Sequence, residues 1–156
     1  MDTIFIFGAR YLFFLVPLIA LVFFLKQPRP KQKEMVIFSV ISVALIYLLA
    51  VIASHIYFDP RPFIVDNFKP LIPSSTDNGF PSDHTLLVSA VASVIMYFNR
   101  RVGFMLWVIV ICVGISRVYV GVHRPIDVIG SILISLLVTF TVYNSMKYVD
   151  HKKVSK

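Results

Sequence analysis

Residues 35–55 read MVIFSVISVALIYLLAVIASH, a stretch with no charged side chain before its closing histidine and no glycine or proline. About 20 apolar residues in helical form cross the ~30 Å hydrocarbon core of a bilayer. Four further apolar segments accompany it, at Ile4–Leu25, Thr85–Phe98, Val102–Val122 and Ile126–Tyr148. The Thr85–Phe98 segment is short, so its first turn is expected to take in Pro81–His84. Across all 156 residues, 58% are hydrophobic and 15% charged, and the mean hydropathy is +0.83. A soluble domain is about 45–50% apolar and roughly 25% charged, and a chain of this length leaves too much surface wet to hide the excess. A soluble globule, a disordered chain, a collagen and a disulfide scaffold are all excluded. The sequence predicts one all-α domain over residues 1–156, a polytopic membrane bundle of about five transmembrane helices.

Basic residues fix the expected orientation. Lys26, Arg29, Lys31 and Lys33 separate the first two segments, Arg100 and Arg101 separate the third and fourth, and Lys147, Lys152, Lys153 and Lys156 end the fifth or follow it. Arg10, Arg61, Lys69, Arg117 and Arg124 fall toward the other side. The positive-inside rule makes the richer side cytoplasmic, with the N-terminus outside and the C-terminus in the cytoplasm. The first segment does not read as a cleaved signal peptide, because its positive charges follow the apolar run. Arg10 interrupts it near its start, where it can snorkel or meet an anionic headgroup. The long outer connection from Tyr57 to Phe80 holds four prolines and the polar run Ser74-Ser75-Thr76-Asp77-Asn78-Gly79, the composition of a loop and not of a sixth span.

The lone cysteine, Cys112, reads as a small buried hydrophobe and rules out a disulfide framework or a thiolate cluster. The net charge of +7 is spread along the topology and forms no basic stripe with interleaved aromatics, so nucleic acid is not an expected partner.

The rare polar residues collect at one depth. Asp59-Pro60-Arg61-Pro62 ends the second segment, Pro81-Ser82-Asp83-His84 opens the third, Ser116-Arg117 lies near the outer end of the fourth, and His123-Arg124-Pro125-Ile126-Asp127 opens the fifth. Ionisable groups at membrane depth are costly and mark function. Arg61, Arg117 and Arg124 carry guanidinium forks suited to phosphate oxygens. Ser82 and the free N–H groups of two helix N-termini add donors for an anion. His84 and His123 supply an acid and a nucleophile. Asp127 follows His123 by four residues, so a helix running from His123 onward would let the carboxylate bond the imidazole. His55 and His151 lack such surroundings. No metal-ligand spacing occurs, and neither a metal nor another cofactor is expected.

Arg61-Pro62, then Pro81-Ser82-Asp83-His84, then Ser116-Arg117 with His123 and Asp127 resemble the three-part signature of the type 2 phosphatidic acid phosphatase superfamily, which also includes vanadium haloperoxidases and glucose-6-phosphatase. Ser54 stands where that family usually has a lysine, and Asp83 where it usually has a glycine. Both departures are similar to the bacterial undecaprenyl-diphosphate phosphatase branch. The resemblance implies a helical membrane core in which His123 forms a phosphohistidine, Asp127 orients it and His84 serves as acid and then base. Arg61, Ser82, Asp83 and Arg117 would hold the phosphate. It implies a lipid phosphate substrate, undecaprenyl diphosphate before phosphatidylglycerol phosphate or the lipid A 1-phosphate, in a bacterial cell (inner) membrane with the site on the extracytoplasmic face. An anion or lipid transporter would also gather arginines at helix ends, but it predicts an internal repeat, and the sequence shows none. The haloperoxidase relatives are soluble, unlike this chain.

The charge asymmetry is checked by thiol labelling of intact cells in a Cys112→Ser background. A membrane-impermeant reagent is expected to label Ser75→Cys and to spare Gln32→Cys; the reverse pattern contradicts the orientation.

Overall fold

A computed structural model describes the backbone of residues 1–154 and the side chains of residues 1–148. The side chains of His151, Lys152 and Lys153, and the whole of Lys156, lie outside the described residues. The chain is 78% helix, with no strand among the described residues. Its helices are α1 (Asp2–Arg10), α2 (Leu15–Leu25), α3 (Arg29–Ile56), α4 (Pro62–Val65), α5 (Asp83–Phe98), α6 (Arg100–Tyr119) and α7 (Pro125–Val154), with a short 3-10 turn at Leu12–Phe14.

Helix starts follow local chemistry. Prolines occupy the first turn of α3, α4 and α7, where a missing N–H costs little. Asn99 alone joins α5 to α6, and its side-chain oxygen caps α6 by accepting from the Val102 N–H at 3.0 Å.

By length and apolarity, α3, α6 and the Pro125–Tyr148 part of α7 can each cross a membrane. The first apolar segment is not one straight span. It breaks into α1 and α2, bent by 41°, and counts as a fourth span only if the pair is taken together. At 16 residues, α5 is about 24 Å long and falls short of the hydrocarbon thickness. It does not need to meet lipid alone, because α2, α3, α6 and α7 all pack around it.

Large apolar side chains point outward along the other helices, among them Ile37, Val40 and Tyr47 on α3, Phe104, Val108 and Ile115 on α6, and Leu133, Leu137 and Phe140 on α7. Water would not tolerate such a surface, and lipid does. The chain is a multi-pass membrane protein. Cys112 lies on this outward face, exposed and not buried, because α6 turns its small residues Gly103 and Gly114 inward instead.

The interior carries the polar stripe that the surface lacks. Asp127, Ser131, Ser135 and Thr139 follow one face of α7 at four-residue spacing, and all four are buried. Ser82, Thr85, Ser89 and Ser93 of α5 and its cap are buried as well. Ser89 Oγ and Ser135 Oγ lie 2.7 Å apart, and Ser131 Oγ donates to the Ser82 carbonyl at 3.0 Å. Small hydroxyl residues let membrane helices approach closely and hydrogen-bond across the contact. This seam holds the N-terminal ends of α5 and α7 side by side.

The Tyr57–Phe80 connection contains only the single helical turn α4. Asn78 staples it. Its amide donates to the Ser54 and Tyr57 carbonyls, and its side-chain oxygen accepts from the Asp59 and Phe80 N–H groups.

Candidate active site

At one end of the bundle a cavity of about 330 Å³ opens among Arg10, Arg61, Asp83, His84, Arg117 and His123, with Ser74 and Ser75 of the long loop on its wall. All four polar groups singled out in the sequence meet at this end. The α6–α7 turn delivers His123. Gly121 takes φ +79°, a conformation that glycine adopts without strain, and so reverses the chain directly after α6.

His123 is 3% exposed. Its Nδ1 lies 3.0 Å from the Gly79 carbonyl and 3.3 Å from Asp127 Oδ2. Both are acceptors, so Nδ1 carries the proton. Nε2 lies 3.4 Å from Arg61 Nη1 and 3.4 Å from Arg117 Nη2. Two donors face that atom, so it holds a lone pair. Burial pulls the imidazolium below its ordinary pKa of 6.5, and the Arg117 and Arg61 charges add to the effect while Asp127 opposes it.

Helix α7 begins at Pro125, so His123 and Asp127 do not share one helix as the spacing suggested. They meet because the turn folds back. The Arg124 N–H donates to Asp127 Oδ2 at 2.8 Å, which aims the carboxylate at the imidazole.

Arg61 is held on several sides. Its Nε and Nη2 donate to Asp77 Oδ1 at 3.0 and 2.8 Å, and Nη1 donates to the Val122 carbonyl at 3.1 Å. The Ser75 hydroxyl and the Arg61 charge keep the Asp77 carboxyl below the usual carboxylate range. Arg117 Nη1 donates to the Ala9 carbonyl at 3.5 Å. The Phe13 ring packs edge-on against His84, with centroids 4.6 Å apart. Asp83 lines the cavity at the first position of α5.

Two side chains offered as phosphate binders, Ser82 and Arg124, do not point into the cavity, and Ser54 and His55 lie outside it. Ser82 is fully buried with its hydroxyl 3.1 Å from Thr85 Oγ1, and only its backbone caps α5. Arg124 turns away from the cavity to Asp59, 3.3 Å distant. Ser54 Oγ donates to the Val51 carbonyl at 2.8 Å and does not line the cavity. His55 is exposed at the end of α3, away from the cavity.

Sequence reasoning gave no role to Asp59. It is 4% exposed, and its Oδ2 and Asp127 Oδ1 are both buried without a conventional donor. The two carboxyl groups lie within hydrogen-bonding reach of each other. Burial raises the Asp59 carboxyl above its ordinary 3.8, the neighbouring Asp127 raises it further, and Arg124 opposes both. A proton on the Asp59 carboxyl would satisfy both oxygens. Asparagine reproduces that donor and alanine does not. Asp59→Asn is therefore expected to melt close to the wild type in detergent. Asp59→Ala is expected to lose about 1–3 kcal/mol, the cost of an orphaned buried polar group. Equal losses in the two variants would contradict a protonated Asp59.

Residues 35–150 match the model of the PAP2 superfamily. The undecaprenyl-diphosphatase BcrC of Bacillus subtilis is 31% identical over 140 residues, covering 90% of this chain and 72% of that protein. The crystal structure of LpxE from Aquifex aeolicus superposes with a TM-score of 0.69 at 24% identity, over 91% of this chain and 82% of the other, a likeness of fold. The first transmembrane PAP2-type phosphatidylglycerolphosphate phosphatase from Bacillus subtilis superposes with a TM-score of 0.64 at 29% identity, over 94% and 75% of the two chains. The family match covers most of the chain, including the long loop and the cavity histidines His84 and His123, and the chain belongs to the PAP2 superfamily.

Proposed function

We propose that this protein is a membrane lipid phosphatase that hydrolyses undecaprenyl diphosphate to undecaprenyl phosphate and inorganic phosphate through a phosphohistidine. The observation that carries the reading is His123 Nε2, a buried lone pair set between two guanidinium groups on the wall of an open cavity. A phosphoryl group entering there meets a nucleophile and two forks for its oxygens at the same point. The similarity to BcrC supports the choice of a prenyl diphosphate as substrate.

In this mechanism Nε2 attacks the terminal phosphorus. The bond from that phosphorus to the bridging oxygen breaks, and its electron pair leaves with undecaprenyl phosphate. His84 gives a proton to the departing oxygen and afterwards takes one from the water that cleaves the phosphohistidine, releasing phosphate. Arg61 and Arg117 stabilise charge on the equatorial oxygens. The free N–H of Asp83 at the start of α5 adds a donor. Asp127 and the Gly79 carbonyl hold the Nδ1 proton, and Asp127 stabilises the positive ring that forms. The arginines supply the positive charge, so the reaction is metal-independent. In this reading α5 serves as the short central one of five crossings, and the asymmetry of basic residues supports a cavity on the extracytoplasmic face of a bacterial cell membrane.

Phosphate release from undecaprenyl diphosphate by the purified protein in detergent tests the reading. Activity is expected to survive excess EDTA; loss with the chelator and recovery with Mg²⁺ would overturn metal independence. His123→Ala is expected to abolish turnover, and wild-type activity in that variant would remove the mechanism. Asp127→Asn is expected to lower kcat by orders of magnitude, on the order of 10⁴-fold where an orienting carboxylate is lost. His84→Ala is expected to lose less with substrates that carry good leaving groups. The nucleophile must be neutral, and its pKa lies below 6.5, so kcat/KM is expected to fall on the acid side only below pH 6.5. An acid limb above that value contradicts the assignment.

A further inference from the structure

The cavity holds one cation that the mechanism above does not use. Arg10 ends α1 and lines the cavity together with Arg61, Arg117, His84 and His123. The other arginines near this end are committed. Arg61 and Arg117 both converge on His123 Nε2, and Arg61 carries Asp77 as well. Arg124 is paired with Asp59. Arg10 is exposed and has no carboxylate partner and no side-chain hydrogen bond among the described residues.

Its position is fixed by more than the exposed end of a helix. Gly8 and Ala9 are buried, and a side chain at position 8 would collide with the side chain of Ser116 on α6. The Ala9 carbonyl accepts from Arg117, and the Phe5 ring stacks on Tyr119 with centroids 3.8 Å apart. The Tyr119 hydroxyl donates to the Asp2 carboxylate at 3.0 Å. Helix α1 is thus strapped along α6 from its first residue to its last turn. The break at Leu12–Phe14 then turns the chain away and seats Phe13 against His84. A lipid-anchoring arginine needs none of this registration, since it reaches headgroups from any face of a helix end.

A diphosphate ester carries two phosphates, and the arginines at Nε2 serve only the one that is attacked. We propose that Arg10 binds the second phosphate, the one that remains on the lipid, and so makes the cavity select diphosphates over monophosphates. The proposal rests on the phosphatase reading of the same cavity but not on the identity of the lipid. An arginine fork suits this task, because a phosphate offers it paired oxygens. Arg10 is exposed where Arg61 and Arg117 are buried, so a phosphate held by it lies outward of the one at Nε2.

The test is isothermal titration of the full-length protein in detergent with methylenediphosphonate, which cannot be hydrolysed, and with inorganic phosphate. Wild type is expected to bind the diphosphonate more tightly. Arg10→Gln is expected to weaken diphosphonate binding about tenfold, the size of one charge-assisted contact, and to leave phosphate binding within about twofold. Arg10→Lys is expected to recover part of the loss. Equal weakening of both probes, no weakening of the diphosphonate, or no diphosphonate preference in the wild type would overturn the proposal. The titrations are repeated with added phosphatidylglycerol. If the anionic headgroup abolishes the Arg10-dependent difference, the headgroup is the ligand of Arg10 and the proposal falls. Wild-type failure to hydrolyse undecaprenyl diphosphate, with the Arg10 effect intact, would refute the lipid assignment and leave the second-phosphate site standing.

Discussion

Everything at the open end of this bundle depends on where one proton sits. The Gly79 carbonyl and Asp127 both accept at His123 Nδ1, so the imidazole turns its lone pair to Arg61 and Arg117. Each partner comes from a different part of the chain. Gly79 belongs to the long loop, Asp127 to the first turn of α7, Arg61 to the end of the α3 connection and Arg117 to the last turn of α6. A buried imidazole with the wrong tautomer would face donors with a donor and lose both its orientation and its nucleophilic nitrogen.

The hydroxyl seam between α5 and α7 makes that arrangement possible. Lipid supplies no hydrophobic drive for helix association, so close packing of small residues and hydrogen bonds across the contact have to supply it. Ser89 with Ser135, and Ser131 with the Ser82 carbonyl, lock the two helices one layer below the cavity. Asp127 is the uppermost member of the same face of α7. The seam and the site are therefore one continuous polar column inside an apolar exterior. It runs from Thr139 up to the Asp59–Asp127 carboxyl pair.

Much of this was legible in the sequence, for identifiable reasons. Long apolar runs with few charges form membrane helices, and each of the five is helical over most of its length, the first of them broken into α1 and α2. The gathering of Arg61, His84, Arg117, His123 and Asp127 was readable because charged side chains are so rare here that their common depth stands out. Other features left weak signals. The break at Leu12–Phe14 contains no glycine or proline, and Arg10 just before it read as an anchor and not as the end of a helix. Asp77 and Asn78 looked like solvated loop residues, since nothing local distinguishes a carboxylate that pairs with an arginine 16 positions away. Ser82 was expected to face phosphate, but its side chain is fully buried with its hydroxyl against Thr85. Arg10 read as an anchor because the sequence could not show which face of α1 meets α6. The serines and threonines of the seam follow helical spacing, yet single hydroxyls in an apolar run carry no local mark of the partner helix.

The central claim is that His123 attacks through Nε2. It is tested by rapid acid-free quenching of the full-length protein, in wild-type and His84→Ala forms, during turnover of undecaprenyl diphosphate labelled in its terminal phosphate. The account predicts an alkali-stable, acid-labile phosphoenzyme, longer-lived in His84→Ala, with the label on His123 Nε2 by peptide mapping. Label on Nδ1, or phosphate release with no phosphoenzyme in either form, would contradict it.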